Sequence, residues 1–456
     1  MSASAPSSGA APAAAGDLFG HPRGLSYLFA TEMWERFSYY GMRALLVLYM
    51  VKYLLQPVHA QAVIGFAALK AALEFVFGPL DIQPLSSQIY GLYTGLVYLT
   101  PILGGYLADR VLGQRRMVVI GASLMAIGHF MMAFEPLFLF ALFVLILGNG
   151  AFKPNISTQV GTLYAPGDPR RDRAFSVFYV GINLGAFLAP LICGTLGEEL
   201  GWHYGFGAAG VGMTAGLAIY LYASRTLPPD LRSHLLLEGK AQPFGREEWR
   251  AMGALVLLFL PVTFFWATYE QQGNTIALWA NDYTDRTIGS FLIPTTWFQA
   301  INPFLIFAFT PLILAQWRGQ AEHRREPSTV LKMAYGCFGN AAANLILFAA
   351  AVTAGGAKAS WLWLMAYFVV LTVGELYLSP TSLSLVTKVA PTRAISMMMG
   401  VWLATSFTGG FLAGYLGSLW SGMEKSRFFL MLAVIAALAG LVILAFVRPL
   451  KPILKN

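Results

Sequence analysis

The sequence predicts an all-α protein that crosses a membrane about twelve times. Of its 456 residues, 57% are hydrophobic and only 11% are charged. A soluble domain carries about 25% charged residues, because it must keep its surface wet. Long apolar runs recur along the chain, and Lys and Arg cluster in the short connections between them. These observations favour a polytopic membrane protein over a soluble one.

The apolar runs have the length that a membrane requires. Runs of roughly 17 or more residues with few charges can cross about 30 Å of hydrocarbon as helices. Clear examples lie at 117–134, 136–152, 206–222, 252–269 and 428–447. Backbone groups in lipid must satisfy their own hydrogen bonds, so each run is expected to be helical.

Twelve spans divide the chain into two equal sets. We predict them near 25–53, 86–108, 116–134, 137–160, 173–196, 204–224, 250–275, 291–316, 329–353, 360–388, 395–420 and 427–448. The polar segment 225–249 separates two six-helix bundles, 25–224 and 250–448, as a linker. Residues 1–24 and 449–456 are predicted tails, the first of them disordered. Residues 62–77 are interpreted as a helix at the membrane interface.

The basic residues predict the orientation of the chain. On the side that holds both termini, loops and tails contain 21 Lys and Arg, against six on the opposite side. The positive-inside rule therefore places both termini and the 225–249 linker in the cytoplasm. This placement explains the net charge of +8 without nucleic acid as a partner. Cys193 and Cys337 lie in apolar runs, so no disulfide framework is expected.

The first span contains ionisable residues at positions within the membrane, where charges are energetically unfavourable. Helical spacing puts Glu32, Glu35, Arg36, Tyr39 and Arg43 on one face, and each ionised group there costs several kcal/mol unless it is paired or wetted. Two readings stay open: the wall of a polar cavity, or polar contacts that only join helices. In the second reading Glu32 extends to the cytoplasmic interface.

Later spans contain isolated charges that need partners. These are Lys153, Glu270 and Glu375, and a desolvated carboxylate among them is a candidate proton carrier. Asn183 and Asn302 are weaker signals, and Asn340 is expected to bond a neighbouring helix.

The motifs resemble those of one transporter family. Residues 32–41, Glu-Met-Trp-Glu-Arg-Phe-Ser-Tyr-Tyr-Gly, resemble the ExxERFxYYG motif of the proton-dependent oligopeptide transporter family (POT/PTR), within the major facilitator superfamily. Further similarities follow in family order: GGYLADR at 104–110, GAFKPN at 150–155, FYVGINLG at 178–185, FW at 265–266 with EQ at 270–271, NP at 302–303, GEL at 374–376 with SP at 379–380, and Trp402.

The resemblance implies a role for each matching residue. Arg36, Tyr40 and Lys153 are expected to bind a peptide carboxylate, and Asn183, Asn302 and Glu375 a peptide amine. The implied pocket walls are Tyr39, Tyr93, Trp266, Ser379 and Trp402. Glu32 and Glu35, with Arg36, are expected to couple transport to protons. Arg43 with Glu270 and Lys153 with Glu375 are the implied gates.

The sequence also departs from the family. Segment 225–249 is too short and charged for the two extra helices of many bacterial relatives. Gly91 stands at the position that matches a histidine used by mammalian relatives. Ser382 stands where a glycine of the tenth helix is usual.

The expected function is proton-coupled import of di- and tripeptides by a bacterial inner-membrane protein, working as a monomer with the proton as coupling ion and no other cofactor. The alternative is proton-coupled transport of another small solute, such as nitrate or a glycoside. A membrane enzyme or a sensor is a third class. The chain has no nucleophile–base arrangement, metal-ligand cluster or phosphate-binding loop, so no enzyme is expected.

Overall fold

A computed structural model describes residues 17–18, 20–165, 168–224, 226–227, 244–391 and 394–454. Most of the predicted tail 1–24 and of the linker 225–249 lies outside these ranges. Twelve long helices occupy the described residues: α1 Arg23–Tyr49, α2 Ile82–Leu107, α3 Gln114–Met131, α4 Phe138–Thr162, α5 Arg170–Ala189, α6 Trp202–Ala223, α7 Arg246–Tyr269, α8 Phe298–Glu322, α9 Thr329–Ala354, α10 Leu362–Val389, α11 Ile395–Ser418 and α12 Lys425–Leu454.

The predicted all-α membrane fold is confirmed. Among the described residues, nine helices, α4 to α12 with their extensions, are long and apolar enough to cross a membrane by length and composition. Helix α1 is less apolar because it carries Glu32, Glu35, Arg36 and Arg43. Because ionised side chains are unfavourable in lipid, these four residues are expected to face a polar interior of the helix bundle.

Several helix ends differ from the predicted ones. Helix α7 continues through a 3₁₀ turn, Glu270–Gly273, into a short helix, Thr275–Asp282, well beyond residue 275. The span predicted from 291 begins with a strand, and helical structure starts only at Thr295–Trp297. Helix α12 continues to Leu454 instead of ending near 448. Hydropathy locates an apolar run, but capping contacts decide where the helix stops.

Other extensions and strands are short. Helices α1 and α2 each end in a π-helical turn, Met50–Leu54 and Ala108–Leu112, and α5 continues through Pro190–Gly194 and Leu196–Leu200. The segment 62–77, predicted to be an interfacial helix, contains the helix Phe66–Phe77, and a shorter helix, Pro57–Ala60, precedes it. In the described part of the chain, six two-residue strands form three pairs: antiparallel β1 Asp17–Leu18 with β2 His21–Pro22, parallel β3 Thr284–Asp285 with β6 Ala359–Ser360, and antiparallel β4 Thr287–Ile288 with β5 Phe291–Leu292.

The helices pack mainly within their own half of the chain. In the first half, α1 packs on α5 and α6, and α4 packs on α2 and α3. In the second half, α9 packs on α10 and α12, and α7 packs on α11 and α12. The halves meet chiefly where α2 packs on α11 and where α5 packs on α8. We call the membrane face where α1 begins and α12 ends the terminal face, and the opposite one the far face.

Glycine makes the α2–α11 contact possible. A Cβ atom built on Gly91 would lie 2.5 Å from the Cα of Gly414, closer than real Cβ contacts come. Gly91 is therefore part of a backbone-to-backbone crossing, as small residues are in membrane interfaces. A histidine at this position would not fit between the helices as they stand, which gives the departure at Gly91 a structural reason.

Candidate functional site

A cavity of about 340 Å³ lies between the two halves. Twelve of the residues predicted from the sequence line it: Glu32, Arg36, Tyr40, Arg43, Lys153, Asn183, Trp266, Glu270, Asn302, Glu375, Ser379 and Trp402. They come from α1, α4 and α5 of the first half and from α7, α8, α10 and α11 of the second. Residues far apart in sequence thus share one polar space.

The second half holds a carboxylate in a fixed position. Asn302 Nδ2 donates to Glu375 Oε2 at 2.9 Å and to Thr372 Oγ1 at 3.0 Å, while the Tyr269 hydroxyl donates to Asn302 Oδ1 at 3.3 Å. The amide therefore joins α7, α8 and α10 around Glu375. Two buried neighbours orient Asn302, which in turn holds the carboxylate, and the remaining acceptor capacity of Glu375 is available to the cavity.

The first half holds a guanidinium between two carboxylates. Arg36 Nε lies 3.1 Å from Glu32 Oε1 and also donates to Glu35 Oε2. Asn149 Nδ2 on α4 donates to Glu35 Oε1 at 3.3 Å. Within the described chain, Arg36 Nη2 and Glu32 Oε2 have no hydrogen-bond partner although both atoms are buried. Buried polar atoms of this kind are costly, so this cluster retains binding capacity for an anion and a proton.

Lys153 is the second cation of the cavity. Its Nζ lies 4.5 Å from the centre of the Tyr98 ring, a distance at which a cation is attracted to the aromatic face. Across the described residues, no ion pair joins Lys153 to Glu375, so the gate implied for this pair is not formed in this structure. The two side chains line the same cavity from opposite halves.

Arg43 and Glu270, the pair implied as a gate, are in contact in the structure. Arg43 Nη2 and Glu270 Oε2 make a buried ion pair between α1 and the turn after α7. Tyr90 of α2 joins it: Arg43 Nε donates to the Tyr90 hydroxyl at 3.0 Å, which lies 3.3 Å from Glu270 Oε2. Both side chains line the cavity, on the side of Arg36 that is nearer the far face.

Closure continues across the far face. Ser87 donates to Asn274 at 2.8 Å, Gln83 donates to the Gly417 carbonyl at 3.0 Å, and Lys52 pairs with Asp282 at 2.5 Å. Each of these contacts joins the two halves beyond the level of the gate pair, toward the far face. These contacts close the cavity toward the far face.

The predicted stripe on α1 needs a correction. Tyr39 was expected to be a pocket wall, but it does not line the cavity, and its ring packs edge-on against Tyr40 at 5.2 Å. At about 100° per residue, positions 39 and 40 lie equally close to 36 and 43 on the helix, so helical spacing does not distinguish them. The packing of α1 against its neighbours leaves Tyr40 on the cavity wall. Glu35 turns instead toward Asn149 of α4.

Tyr93 was also predicted to be a pocket wall, and this too needs correction. It is buried in α2 and does not line the cavity in this structure. The implied role depended on a motif position, whereas the wall is decided by how α2 is rotated against its neighbours.

Among the site residues that were not predicted, four contact predicted ones. Tyr269 orients Asn302, Tyr90 joins the gate pair, Asn149 holds Glu35, and Tyr98 lies under Lys153. Asn149 lies between two glycines, Gly148 and Gly150, and Tyr269 directly precedes Glu270. Tyrosines are ordinary in membrane helices, so no sequence signal singled out the other two. By contrast, Asn340 donates to Thr268 Oγ1 at 2.9 Å, which confirms its expected bond to a neighbouring helix.

The described residues contain no group of three or more His, Cys, Asp or Glu side chains that could hold a metal ion. Cys193 and Cys337 are separate buried thiols. The cavity lining presents charged, amide, hydroxyl, phenol and indole groups.

A polytopic bundle with a charged cavity between its halves, closed on one face, is the architecture of a membrane transporter of the major facilitator type. The family model described as POT family matches residues 115–229 and 241–433, and the chain belongs to the POT family.

Relatives and solved structures agree over nearly the whole chain. The chain is 35% identical to "Peptide transporter YePEPT" of Yersinia enterocolitica, covering 88% of each. It is 32% identical to a "Di-/tripeptide transporter" of Lactococcus lactis subsp. cremoris, covering 95% of this chain and 96% of the relative. A crystal structure of a peptide transporter POT in complex with sulfate matches with a TM-score of 0.83 at 30% identity, covering 96% of this chain and 97% of the other.

Proposed function

We propose that this protein is a proton-coupled symporter that imports di- and tripeptides by alternating access. The observation that carries the proposal is the charge arrangement of the cavity: Arg36 and Lys153 come from the first half, and Glu375 with Asn302 comes from the second. A short peptide is a zwitterion whose two ends carry opposite charges. The bacterial relatives named as peptide transporters support the same conclusion.

The peptide is bound at its two ends. Its carboxylate pairs with Arg36 and Lys153, helped by the Tyr40 hydroxyl, and its ammonium meets Glu375 and the Asn183 and Asn302 amides. Trp266, Ser379 and Trp402, which line the cavity, contact the side chains of the peptide. A cavity of about 340 Å³ lies within the range of ligand pockets, roughly 300–1,000 Å³. Recognition of the ends rather than the side chains suits a transporter of varied peptides.

Proton coupling follows from the charges around Arg36. Glu32 and Glu35 already place two negative charges on one guanidinium. A peptide carboxylate adds a third, which is unfavourable in a low-dielectric cavity. Protonation of one glutamate restores the balance, so peptide and proton bind together.

Alternating access exchanges one closed face for the other. Opening the far face requires the Arg43–Glu270 pair to break, and closing the terminal face brings Lys153 toward Glu375. A peptide bound between the halves contributes to this closure, because its ends attach to different halves. In this scheme residues 25–224 and 250–448 move as two units, with the segment 225–249 as their linker.

The direction of transport depends on the orientation of the chain. The 21-to-6 distribution of Lys and Arg assigns the terminal face to the cytoplasm of a bacterial inner membrane. Import then releases peptide through the terminal face. The protein is proposed to work as a monomer, since residues of a single chain supply both proposed peptide-binding ends of the cavity. The proposed coupling ion is the proton, and no other cofactor is proposed.

Uptake into proteoliposomes tests the function. Labelled dialanine is expected to accumulate when the interior is made alkaline, and a protonophore is expected to abolish the accumulation. The Lys153→Ala variant, which lacks one of the two cations, is the matched negative control. Equal accumulation with and without a proton gradient would refute coupling.

Competition separates peptide from other solutes. Unlabelled dialanine is expected to inhibit uptake, whereas nitrate and a simple glucoside at the same concentration are not. Inhibition by nitrate or by the glucoside, without inhibition by dialanine, would favour the alternative function.

A further inference from the structure

A recess on the lipid-facing side of the second half is separate from the transport cavity. It has a volume of about 510 Å³ between α8, α9 and α10, and its walls include Phe309, Leu312, Tyr335, Val373 and Tyr377. Leu312 is 64% exposed and Tyr335 is 45% exposed. In a membrane, this recess opens to the acyl chains.

A second recess continues the first toward the terminal face. It has a volume of about 570 Å³ and is lined by Trp317, Glu326, Ser328, Lys332, Thr381 and Lys388, among others. On each helix its residues lie about one turn beyond those of the apolar recess, as from Tyr377 to Thr381. Trp317 packs edge-on against Tyr377 at 5.4 Å where the two recesses adjoin. Together they form one groove with an apolar part and a polar end.

The polar end carries excess positive charge. Lys332 is buried, with its Nζ 2.5 Å from Glu326 Oε1 and 3.7 Å from the centre of the Trp317 ring. Lys388 is exposed and has no ion-pair partner among the described residues. The first turn of α9, beginning at Thr329 after the Ser328 cap, adds the partial positive charge of a helix N-terminus. Glu326 opposes part of this charge but already pairs with Lys332.

We propose that this groove is a binding site for an anionic phospholipid. The phosphodiester lies between Lys332 and Lys388 at the start of α9, and one acyl chain follows the apolar recess along Leu312, Tyr335 and Tyr377. The order of the two parts matches a lipid molecule in the membrane, with the headgroup at the surface and the chain toward the middle. The lysines select an anionic headgroup, because basic residues near a membrane surface attract anionic lipids.

The site adjoins the helices that carry the transport residues. Val373, Gly374 and Tyr377 face the groove, while Glu375 and Ser379 of the same helix line the cavity. A bound lipid therefore contacts α10 on the face opposite to the peptide.

Lipid binding to the purified full-length protein tests the headgroup contact. Native mass spectrometry is used to compare phosphatidylglycerol with phosphatidylcholine at equal chain length. The wild type is expected to prefer phosphatidylglycerol. Each lysine is expected to contribute about fivefold in affinity, so the Lys332→Gln/Lys388→Gln variant should bind phosphatidylglycerol about 25-fold more weakly. The Arg116→Gln/Arg173→Gln variant, which loses the same charge on the same face outside the groove, should bind it normally.

Two further variants keep the test decisive. Lys388→Gln alone alters only an exposed side chain, and it is expected to lower affinity about fivefold. Leu312→Trp fills the apolar recess and should weaken binding, while Leu314→Trp, exposed on the same helix outside the groove, should not. Equal binding of the two lipids by the wild type would overturn the proposal. So would equal losses in the lysine and arginine variants, or in the two tryptophan variants.

Discussion

Arg36 links the two tasks proposed for the cavity, peptide binding and proton coupling. Its guanidinium contacts Glu32 and Glu35, and its Nη2 atom is buried without a partner among the described residues. Any anion that binds there changes the charge balance of both glutamates. Because Glu35 is also held by Asn149, it is the more firmly positioned of the two carboxylates.

Replacing Glu35 by Gln is expected to abolish proton-driven uptake. The amide keeps the size of the side chain but cannot take up a proton, whereas exchange of internal for external peptide needs no net proton movement and should partly remain. Gradient-driven uptake and counterflow of labelled dialanine in the same proteoliposomes measure the two activities. Glu247→Gln, at an exposed position near the start of α7, is the control, and full gradient-driven accumulation by Glu35→Gln would contradict the assignment.

Replacing Glu375 by Gln is expected to weaken peptide binding by roughly 1.5–3 kcal/mol, the range for hydrogen bonds to charged groups. The substitution removes the charge that faces the peptide ammonium while the contact from Asn302 can persist. Binding of dialanine is compared with binding of its N-acetylated form by wild type and variant.

The comparison forms a double-mutant cycle between protein charge and peptide amine. Acetylation should weaken binding to the wild type and add little further loss in Glu375→Gln. Additive losses would show that Glu375 does not meet the amine.

At the scale of elements, a carboxylate from the first half of the chain contacts the N-terminus of α8. Glu198, after α5, accepts hydrogen bonds from the backbone N–H groups of Thr295 and Thr296, each at 2.8 Å, and from the Thr296 hydroxyl at 2.7 Å. A helix N-terminus attracts negative charge and leaves N–H groups in need of acceptors. The contact therefore caps the N-terminus of α8. It also joins the two halves on the far face.

Replacing Glu198 by Gln is expected to favour opening of the far face. The amide loses the charge and one acceptor oxygen, while the open state, in which the halves separate, is little affected. Electron–electron resonance between spin labels at His203→Cys and Thr287→Cys, exposed in different halves on this face, should show a larger fraction of long distances. Glu199→Gln, at the exposed neighbouring position, should match the wild type. An unchanged distance distribution in Glu198→Gln would mean that the other far-face contacts suffice.

At the scale of the whole molecule, the far-face contacts join two packed halves. Helices α2 and α11 cross through Gly91 and Gly414, and α5 lies along α8. Which side of the membrane the far face occupies therefore decides the direction of transport.

Cysteine labelling measures the orientation. Lys358→Cys lies exposed on the far face, and Arg116→Cys lies exposed on the terminal face. A membrane-impermeant maleimide is expected to label Lys358→Cys in right-side-out vesicles and Arg116→Cys only after the vesicles are opened. The native Cys193 and Cys337 are buried and should react slowly in both. The reverse pattern would invert the proposed topology.

Composition and the placement of charges predicted the class of fold and the charged residues of the cavity, whereas Tyr40, Trp266, Ser379 and Trp402 were implied only by the resemblance to the POT family. Lipid requires every span to be an apolar helix, so the pattern of apolar runs predicts twelve spans. Charges inside spans are costly, so Arg36, Lys153, Glu270 and Glu375 stood out by their positions along the chain.

Which residues meet one another depends on the tertiary structure. Tyr40 rather than Tyr39 lines the cavity. Tyr90 bonds to Arg43 and Tyr269 bonds to Asn302, and sequence spacing predicts neither contact. Which of the two implied gate pairs is formed also depends on the tertiary structure. Arg43 pairs with Glu270, while Lys153 lies over the Tyr98 ring. The physical reason lies in what each effect depends on. The free-energy cost of burying a charge depends on one residue in one helix and can be recognised from the sequence. The pairing of side chains depends on how separate helices are rotated and spaced against each other.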